Sequence, residues 1–368
     1  MPSPLRVALV GPAPDHLGGT AVLIKALLRD LPAAGIEARA VATDALPSWL
    51  PQSLDRVKYL RTALRFAAYT ARLLRAALWA DVIHAFAGAY LNFWLEPLPA
   101  VIAGRALGKR VVLNYHTGEA EDHLRRSGRL VRWAANRADV FVVPSLYLQR
   151  IFARAGIAAT VVPNTIEMPQ AAAQPEGPVI VNTRALEPIY DIPCALRAFA
   201  LVQTRHPEAR LILVGRGAEA DRCRRLAAEL GLRGVEFVGG VAHAEVARYL
   251  SRAALLLNSS RIDNQPLSIL EAFAWGVPVV STAAGGIADI VRHGETGLLA
   301  PIGDHVALAA EACRLLADPA LARQLARAGR AAAARHTWPA VRALWLDAYG
   351  APQAQTETAM PVGTKVHD

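Results

Sequence analysis

The chain has 368 residues, more than one hydrophobic core ordinarily organises, and its 53% hydrophobic and 19% charged residues suffice for two packed α/β units that fold unaided. Three cysteines, Cys194, Cys223 and Cys313, lie far apart without metal spacing, which argues against a disulfide framework and a zinc site; no h-region follows Met1 and no stretch approaches ~20 uncharged apolar residues, so a cytoplasmic chain is expected, neither secreted nor membrane-spanning. The net charge of +9 is uneven: residues 1–170 carry 20 Lys+Arg against 12 Asp+Glu, residues 171–368 carry 20 against 19.

In chain order, short apolar strands are expected at Val7–Val10, Ala38–Val41, Val82–His84, Val111–Tyr115 and Val140–Val143, alternating with helical patterns, as in a parallel α/β sheet. Between the second and third, Arg56, Lys58, Arg61, Arg65, Arg72 and Arg75 interleave with Leu60, Leu64, Phe66, Leu73, Leu74 and Leu78 at helical spacing. A second basic cluster, Arg125, Arg126, Arg129 and Arg132, stands beside Trp133. Such surfaces fit an anionic membrane or a solvated helix face; no nucleic-acid motif accompanies the charge. Residues 165–178, rich in Ala, Pro and Gln and without periodicity, read as the interdomain linker. A second alternation follows, with strands at Val179–Asn182, Leu211–Val214, Val235–Val238, Leu255–Leu257 and Val279–Ser281, then a last helix from Trp338 to Tyr349 and a polar tail after Gly350. Two doubly wound, Rossmann-like domains follow, 1–170 and 171–337, with a C-terminal helix 338–350 and a flexible tail 351–368.

Ligands of open parallel sheets bind beyond the carboxyl ends of the strands, and the motifs fall there. Gly18 and Gly19 follow the first strand and precede a helix, letting backbone approach an anion or a sugar, although no three-glycine dinucleotide fingerprint is present. His116 ends a strand and is expected to point into the same cleft. Most informative is the run from Ser260 to Phe273. Asp263 sits among turn formers, Pro266 suits a first helical turn, and Glu271 is placed two turns inside that helix. A carboxylate at a loop tip, free backbone N–H groups behind it and a second carboxylate deeper in suit an anion attached to a polyol, such as a nucleoside diphosphate-sugar.

In order and spacing, Gly18-Gly19, His116, Pro163-Asn164-Thr165-Ile166-Glu167, Leu213-Val214-Gly215-Arg216-Gly217, Val235-Glu236-Phe237-Val238-Gly239, Gly276-Val277-Pro278-Val279-Val280-Ser281-Thr282, Gly285-Gly286 and His293-Gly294-Glu295-Thr296-Gly297-Leu298-Leu299 together resemble the retaining family 4 glycosyltransferases across residues 5–350. The resemblance implies the GT-B architecture, two Rossmann-like domains facing across a cleft, 1–170 as the acceptor-binding domain and 171–337 as the donor-binding domain, with the C-terminal helix returning to the first. It also implies metal-independent transfer of a hexosyl group from a UDP- or GDP-type sugar to an acceptor hydroxyl, with anomeric retention and no cofactor. His116, Arg184 and Asp263 become the expected catalytic residues. Gly18, Gly19, Arg184, Tyr190, Gly215, Val238, Asp263, Asn264, Gln265, Pro266, Leu267, Ser268 and Glu271 become the expected donor contacts, with Glu271 on the ribose and backbone near Val238 on the base. A saccharide or lipid-linked saccharide acceptor, surface-polysaccharide or glycolipid assembly, and peripheral association with the inner membrane face complete the expectation.

Two departures touch donor positions. The family's usual pair of glutamates is here Asp263 and Glu271, which shortens one reach by roughly 1.5 Å. The family's Lys-Gly, six and seven residues after its arginine, is here Tyr190-Asp191 following Arg184, with Tyr190 as a hydrogen-bond donor or Arg216 as a substitute cation. A weakly active or non-catalytic nucleotide-sugar-binding protein of the same fold is the alternative; a nucleotide-sugar epimerase is disfavoured by the long run of transferase motifs.

Overall fold

A computed structural model describes residues 3–16, 18–45 and 58–351. The first half contains strands β1 (Leu5–Gly11), β2 (Ile36–Ala42), β3 (Val82–Ala87), β4 (Arg110–Tyr115), β5 (Val140–Val143) and β6 (Thr160–Val161). Its helices are α1 (Gly19–Asp30), α2 (Lys58–Trp79), α3 (Leu91–Leu95), α4 (Pro97–Ala106), α5 (Ala120–Ala135) and α6 (Leu146–Arg154). The second half contains β7 (Val179–Asn182), β8 (Arg210–Val214), β9 (Val235–Gly239), β10 (Leu255–Asn258), β11 (Val279–Thr282) and β12 (Leu298–Ala300). Around them run α7 (Ile192–Arg205), α8 (Ala220–Glu229), α9 (His243–Leu250), α10 (Leu267–Trp275), α11 (Ile287–Ile290), α12 (His305–Ala317), α13 (Pro319–Ala333) and α14 (Trp338–Tyr349).

Each half forms a six-stranded parallel sheet, ordered β2-β1-β3-β4-β5-β6 and β12-β11-β10-β7-β8-β9. The central strands are mostly apolar, as sheets covered on both faces require, with His84, Asn114, Asn182 and Asn258 as buried polar exceptions; β3 and β10 are buried throughout. The ten expected strands are present, each extended by one to three residues at its ends or matched. β6 and β12 were not anticipated, because a two-residue and a three-residue edge strand carry too little pattern to separate from a loop.

Strand order reverses between β1 and β3 in the first sheet and between β7 and β10 in the second. At such a switch point the loops leaving two adjacent strands diverge to opposite faces and open a crevice. The two crevices share the cleft.

Two further points refine the sequence reading. The 165–178 segment is a connection, but a pinned one: Ile166 N–H donates to the His336 carbonyl, Ala173 N–H to Trp275, Gln174 N–H to Ser251 and Glu176 N–H to Arg252. Helix α14 packs on the first sheet, where Val341, Trp345 and Tyr349 share a core with Val7, Leu9, Phe86 and Val112. Tyr349 Oη lies 2.8 Å from Nδ1 of the buried His84, and Arg110 Nε donates to the Ala348 carbonyl at 2.8 Å. The tail beyond residue 351, Arg56 and the Lys58 side chain lie outside the described residues.

Candidate active site at the domain cleft

The second switch point builds the site. Arg184 follows β7, and Asp263 stands in the loop after β10, so two distant sequence segments converge at adjacent strand ends. A buried polar network holds these ends: Asn182 Nδ2 donates to the Leu257 carbonyl, its Oδ1 accepts Arg184 N–H, and Asn258 Nδ2 donates to Ser281 Oγ, each at 2.9 Å. Thr282 Oγ1 donates to the Ser260 carbonyl at 2.5 Å. Satisfied buried polar groups of this kind fix a unique loop geometry.

Glycines let the backbones close up. A Cβ on Gly286 would stand 1.8 Å from the Asn264 carbonyl oxygen, and one on Gly215 would stand 2.2 Å from that of Arg184. Both positions therefore admit only hydrogen. Gly215 thereby shapes the Arg184 loop.

Arg184 Nη2 donates to Asp263 Oδ2 at 2.7 Å, Nη1 reaches Ser268 Oγ at 3.4 Å, and the guanidinium stacks 3.9 Å from the Tyr190 ring centre. Its Nε is buried and has no hydrogen-bond partner among the described residues. Burial opposes the arginine's charge, but Asp263, Tyr190 and Glu271 outweigh it and hold the pKa above the ordinary value. Burial also pushes the Asp263 carboxyl upward against the pull of Arg184, Asn264 N–H and Ser260. Tyr190 thus acts through its ring face, and Asp191, at φ 45, occupies the left-handed conformation that suits glycine; Asp tolerates it and caps α7 by accepting Cys194 N–H. Arg261 pairs with Asp191 at 3.2 Å, so the extra anion is countered locally. Arg216 contributes a backbone carbonyl to Leu186 N–H, and Val238 lies part-buried on β9.

Pro266 proves to be the N-cap of α10, in extended conformation, and its carbonyl accepts Ile269 and Leu270 N–H. The N–H groups of Leu267 and Ser268 precede those first intrahelical bonds. Glu271 is the fifth residue of α10, a little over one turn in rather than two, since its helix begins at Leu267. It accepts a 2.5 Å hydrogen bond from His243 Nε2, whose pKa this bond raises, and both line a cavity of about 520 Å³ with Lys25 and Arg29 of α1, residues 165–169 and Trp275. Sequence spacing gave no signal for His243, 28 positions from Glu271 and on another helix.

The first domain meets this site closely. A Cβ on Gly19 would touch Leu267 at 3.7 Å; one on Gly118 would stand 2.8 Å from Ile262 Cγ2. Asn264 Nδ2 donates to the His116 carbonyl, while Gln265 Oε1 accepts Asn164 N–H at 2.7 Å and the Gln265 carbonyl accepts Asn164 Nδ2 at 2.9 Å. Asn264 and Gln265 are thereby occupied in tying the domains together. The His116 ring departs from expectation: it tilts against Phe86 and faces Asn114, Asn164 and Trp345. Desolvation of the part-buried ring lowers its pKa to about 4, its Nε2 has no hydrogen-bond partner among the described residues, and its backbone carbonyl is what reaches the loop that carries Asp263 and Asn264.

Comparisons with known proteins agree with this geometry. Residues 17–168 match the family model described as Glycosyltransferase Family 4, and residues 164–332 that described as Glycosyl transferases group 1. The chain is 29% identical to a D-inositol 3-phosphate glycosyltransferase of Acidothermus cellulolyticus over 86% of this chain and 78% of that one. It is 41% identical to an exopolysaccharide phosphotransferase of Streptomyces coelicolor over 40% of this chain. It spans less than two thirds of several curated relatives, 16% of the Streptomyces protein and 63% of a glycogen synthase of Mycobacterium tuberculosis. Among solved structures, sucrose-phosphate synthase of Thermosynechococcus elongatus superposes with a TM-score of 0.77 at 22% identity, covering 94% of this chain and 98% of that one. HepE of Anabaena, solved with UDP and glucose, gives 0.72 at 19%, covering 94% and 99%. The fold is GT-B.

Proposed function

The chain belongs to the group 1, family 4 glycosyltransferases, and from that premise we propose that it transfers a hexosyl group from a UDP- or GDP-type sugar to an acceptor hydroxyl with retention at the anomeric carbon. The observation that carries this reading is the unpartnered Nε–H of buried Arg184 beside the first turn of α10. As a diphosphate departs, negative charge grows on its oxygens, and preorganised cations and N–H donors stabilise that charge most when they are held in place before reaction. Arg184 supplies the cation, clamped by Asp263 and Tyr190; Leu267 and Ser268 supply N–H donors and the favourable end of the helix dipole. Asp263 orients donor-sugar hydroxyls, and Glu271, in the wall of the large cavity, takes the ribose. The capture of UDP and glucose by HepE supports the donor class. No residue is assigned as a nucleophile, and the departing phosphate receives the acceptor's proton on the same face. The cleft between the domains shields the donor from water. Differential scanning fluorimetry with UDP, GDP and ADP tests the donor site: one nucleotide raises the melting temperature of the wild type by mass action, and Arg184→Ala and Glu271→Ala each abolish that shift. Absence of a shift with all three would return the chain to the non-catalytic reading.

The acceptor side we place at a membrane. Helix α2 contains no Asp or Glu, and its exposed stripe, Leu60, Ala63, Ala67, Ala71, Leu74 and Leu78, is wholly apolar, with Leu78 72% exposed. Arg75 is exposed next to it, and neighbouring α3 and α4 expose Leu91, Trp94 and Ile102. A solvated helix face would be polar there; apolar side chains bordered by arginines match an anionic lipid surface. The Arg125 cluster is different, because Arg125 and Arg126 are paired with Asp122. The reading is peripheral docking on the inner face with a lipid-linked saccharide acceptor; no helix among the described residues is long and apolar enough to cross a membrane. Sedimentation with phosphatidylglycerol-containing vesicles, lost on Leu74→Glu/Leu78→Glu and absent with phosphatidylcholine alone, tests it.

A further inference from the structure

Glu271 carries a long side chain with three free torsions, yet its carboxylate has one defined direction, set by His243 Nε2 at 2.5 Å. His243 is itself well placed to give that direction. It is the first residue of α9, and the turn before it is closed by Ala242 N–H donating to the Glu245 carboxylate at 2.9 Å. Both partners line the 520 Å³ cavity between the domains, where Val22, Ile166, Val246 and Leu250 provide apolar walls, and Lys25 faces the imidazole from α1. Only Glu271 Oε1 is engaged by the histidine; Oε2 is left for a ligand. A carboxylate receiving one fixed N–H bond on one oxygen presents the other at a set angle, and two vicinal hydroxyls are the groups that such an oriented pair of oxygens accepts best. An unheld glutamate would lose rotamer freedom on binding, a cost the tether removes beforehand.

We propose that His243 is a positioning residue that aims the Glu271 carboxylate at the vicinal hydroxyls of the donor's ribose. This rests on the donor-site reading given above. His243 touches neither the sugar nor the diphosphate; its effect passes through Glu271, falls on nucleotide binding and leaves the transfer step alone.

The experiment is isothermal titration of the full chain with UDP and 2′-deoxy-UDP, or GDP and 2′-deoxy-GDP if the guanine nucleotide is the one that stabilises it. The wild type is expected to prefer the ribonucleotide by about tenfold, a single well-made hydrogen bond. His243→Ala should bring that preference to within about threefold, raise KM for the donor and leave kcat unchanged; His243→Gln, which keeps an N–H donor of similar reach, should restore most of it. A merely structural tie between α9 and α10 would lower the melting temperature and weaken both nucleotides alike. Preference abolished by Glu271→Ala but intact in His243→Ala would overturn the role of His243 while keeping the ribose site. Preference intact in Glu271→Ala, or no binding of any nucleotide, would overturn the donor-site reading and this inference with it.

Discussion

The two switch points of this molecule are built by opposite means. In the second domain, the loops after β7 and β10 are held by Asn182, Asn258, Ser260 and Thr282 and by glycines too close to neighbouring carbonyls to carry a side chain. In the first domain, the loop after β1 and the neighbouring loop after β4 contribute close-approaching backbone at Gly19 and Gly118, and a histidine whose ring turns toward Phe86. The half that would receive the diphosphate is rigid and charged. The half that would receive the acceptor offers backbone, cavity wall and an apolar outer helix. Chemistry common to many donors demands fixed side chains, and a contact surface for one acceptor does not.

The largest expected effect comes from the centre of the rigid half. Arg184→Ala removes the cation and strands a buried carboxylate, so transfer should fall by about 100-fold or more in kcat and stability by about 3–5 kcal/mol; Arg184→Ala/Asp263→Asn should recover stability but not activity, as chemical denaturation and donor turnover will show. Next is Gly286→Ala, whose methyl would collide with the Asn264 carbonyl. We expect a loss of about 1–3 kcal/mol together with donor affinity, whereas Gly128→Ala, with open space around it on α5, should cost nothing measurable. Asn164→Ala keeps the backbone N–H that Gln265 Oε1 accepts but leaves the Gln265 carbonyl without its Nδ2 donor across the domain junction, and a destabilisation of about 1–3 kcal/mol is expected by calorimetry.

Protonation gives a smaller test that separates the halves. In the first domain His84 is buried and His116 part-buried, with folded pKa values pushed down by desolvation, the latter to about 4. The unfolded chain takes up their protons near the ordinary value of ~6.5, so stability should decline as pH falls from there toward 4. His243 runs the other way: its folded pKa is raised by Glu271, so its contribution is full below ~6.5 and is lost as pH rises through the folded value. Melting curves of His116→Asn and His243→Ala between pH 4.5 and about 9 should therefore both differ most from the wild type at the acid end, with opposite sign: His116→Asn escapes the acid loss, whereas His243→Ala lacks the acid gain and converges on the wild type as pH rises. The smallest effect is at Tyr190. Tyr190→Phe keeps the ring under Arg184 and should bind nucleotide within twofold of wild type, while Tyr190→Ala should lose a few-fold, the value of one cation–π contact.

The second domain was the more legible in sequence. Its strands and the α10 helix follow from apolar runs punctuated by Asn, Ser and Gly at strand ends; Arg184 and Asp263 were assigned to one site by the resemblance, and their ion pair became visible only in the structure. What sequence did not convey is set by tertiary direction: that Tyr190 offers a face instead of a hydroxyl, that His116 turns away from the cleft, and that His243 meets Glu271. Each depends on which of two sides a residue presents after two helices or strands are docked, and no periodicity encodes that choice. The edge strands β6 and β12 were too short to announce themselves. For Asp191, a glycine-like backbone angle became visible only as a dihedral.

The return of α14 to the first sheet bears on the order in which the molecule is made. Trp345 and Tyr349 complete a core begun by Val7 and Leu9, more than three hundred residues earlier. A ribosome delivers the N-terminal half first, but that half leaves His84 and the apolar ends of β1, β3 and β4 uncovered until the last helix emerges. The second domain, continuous in sequence from β7 to α13, has all its parts in hand beforehand. Synthesis therefore runs from front to back, while consolidation finishes at the front, and the earliest strands to leave the ribosome are the last to be sealed.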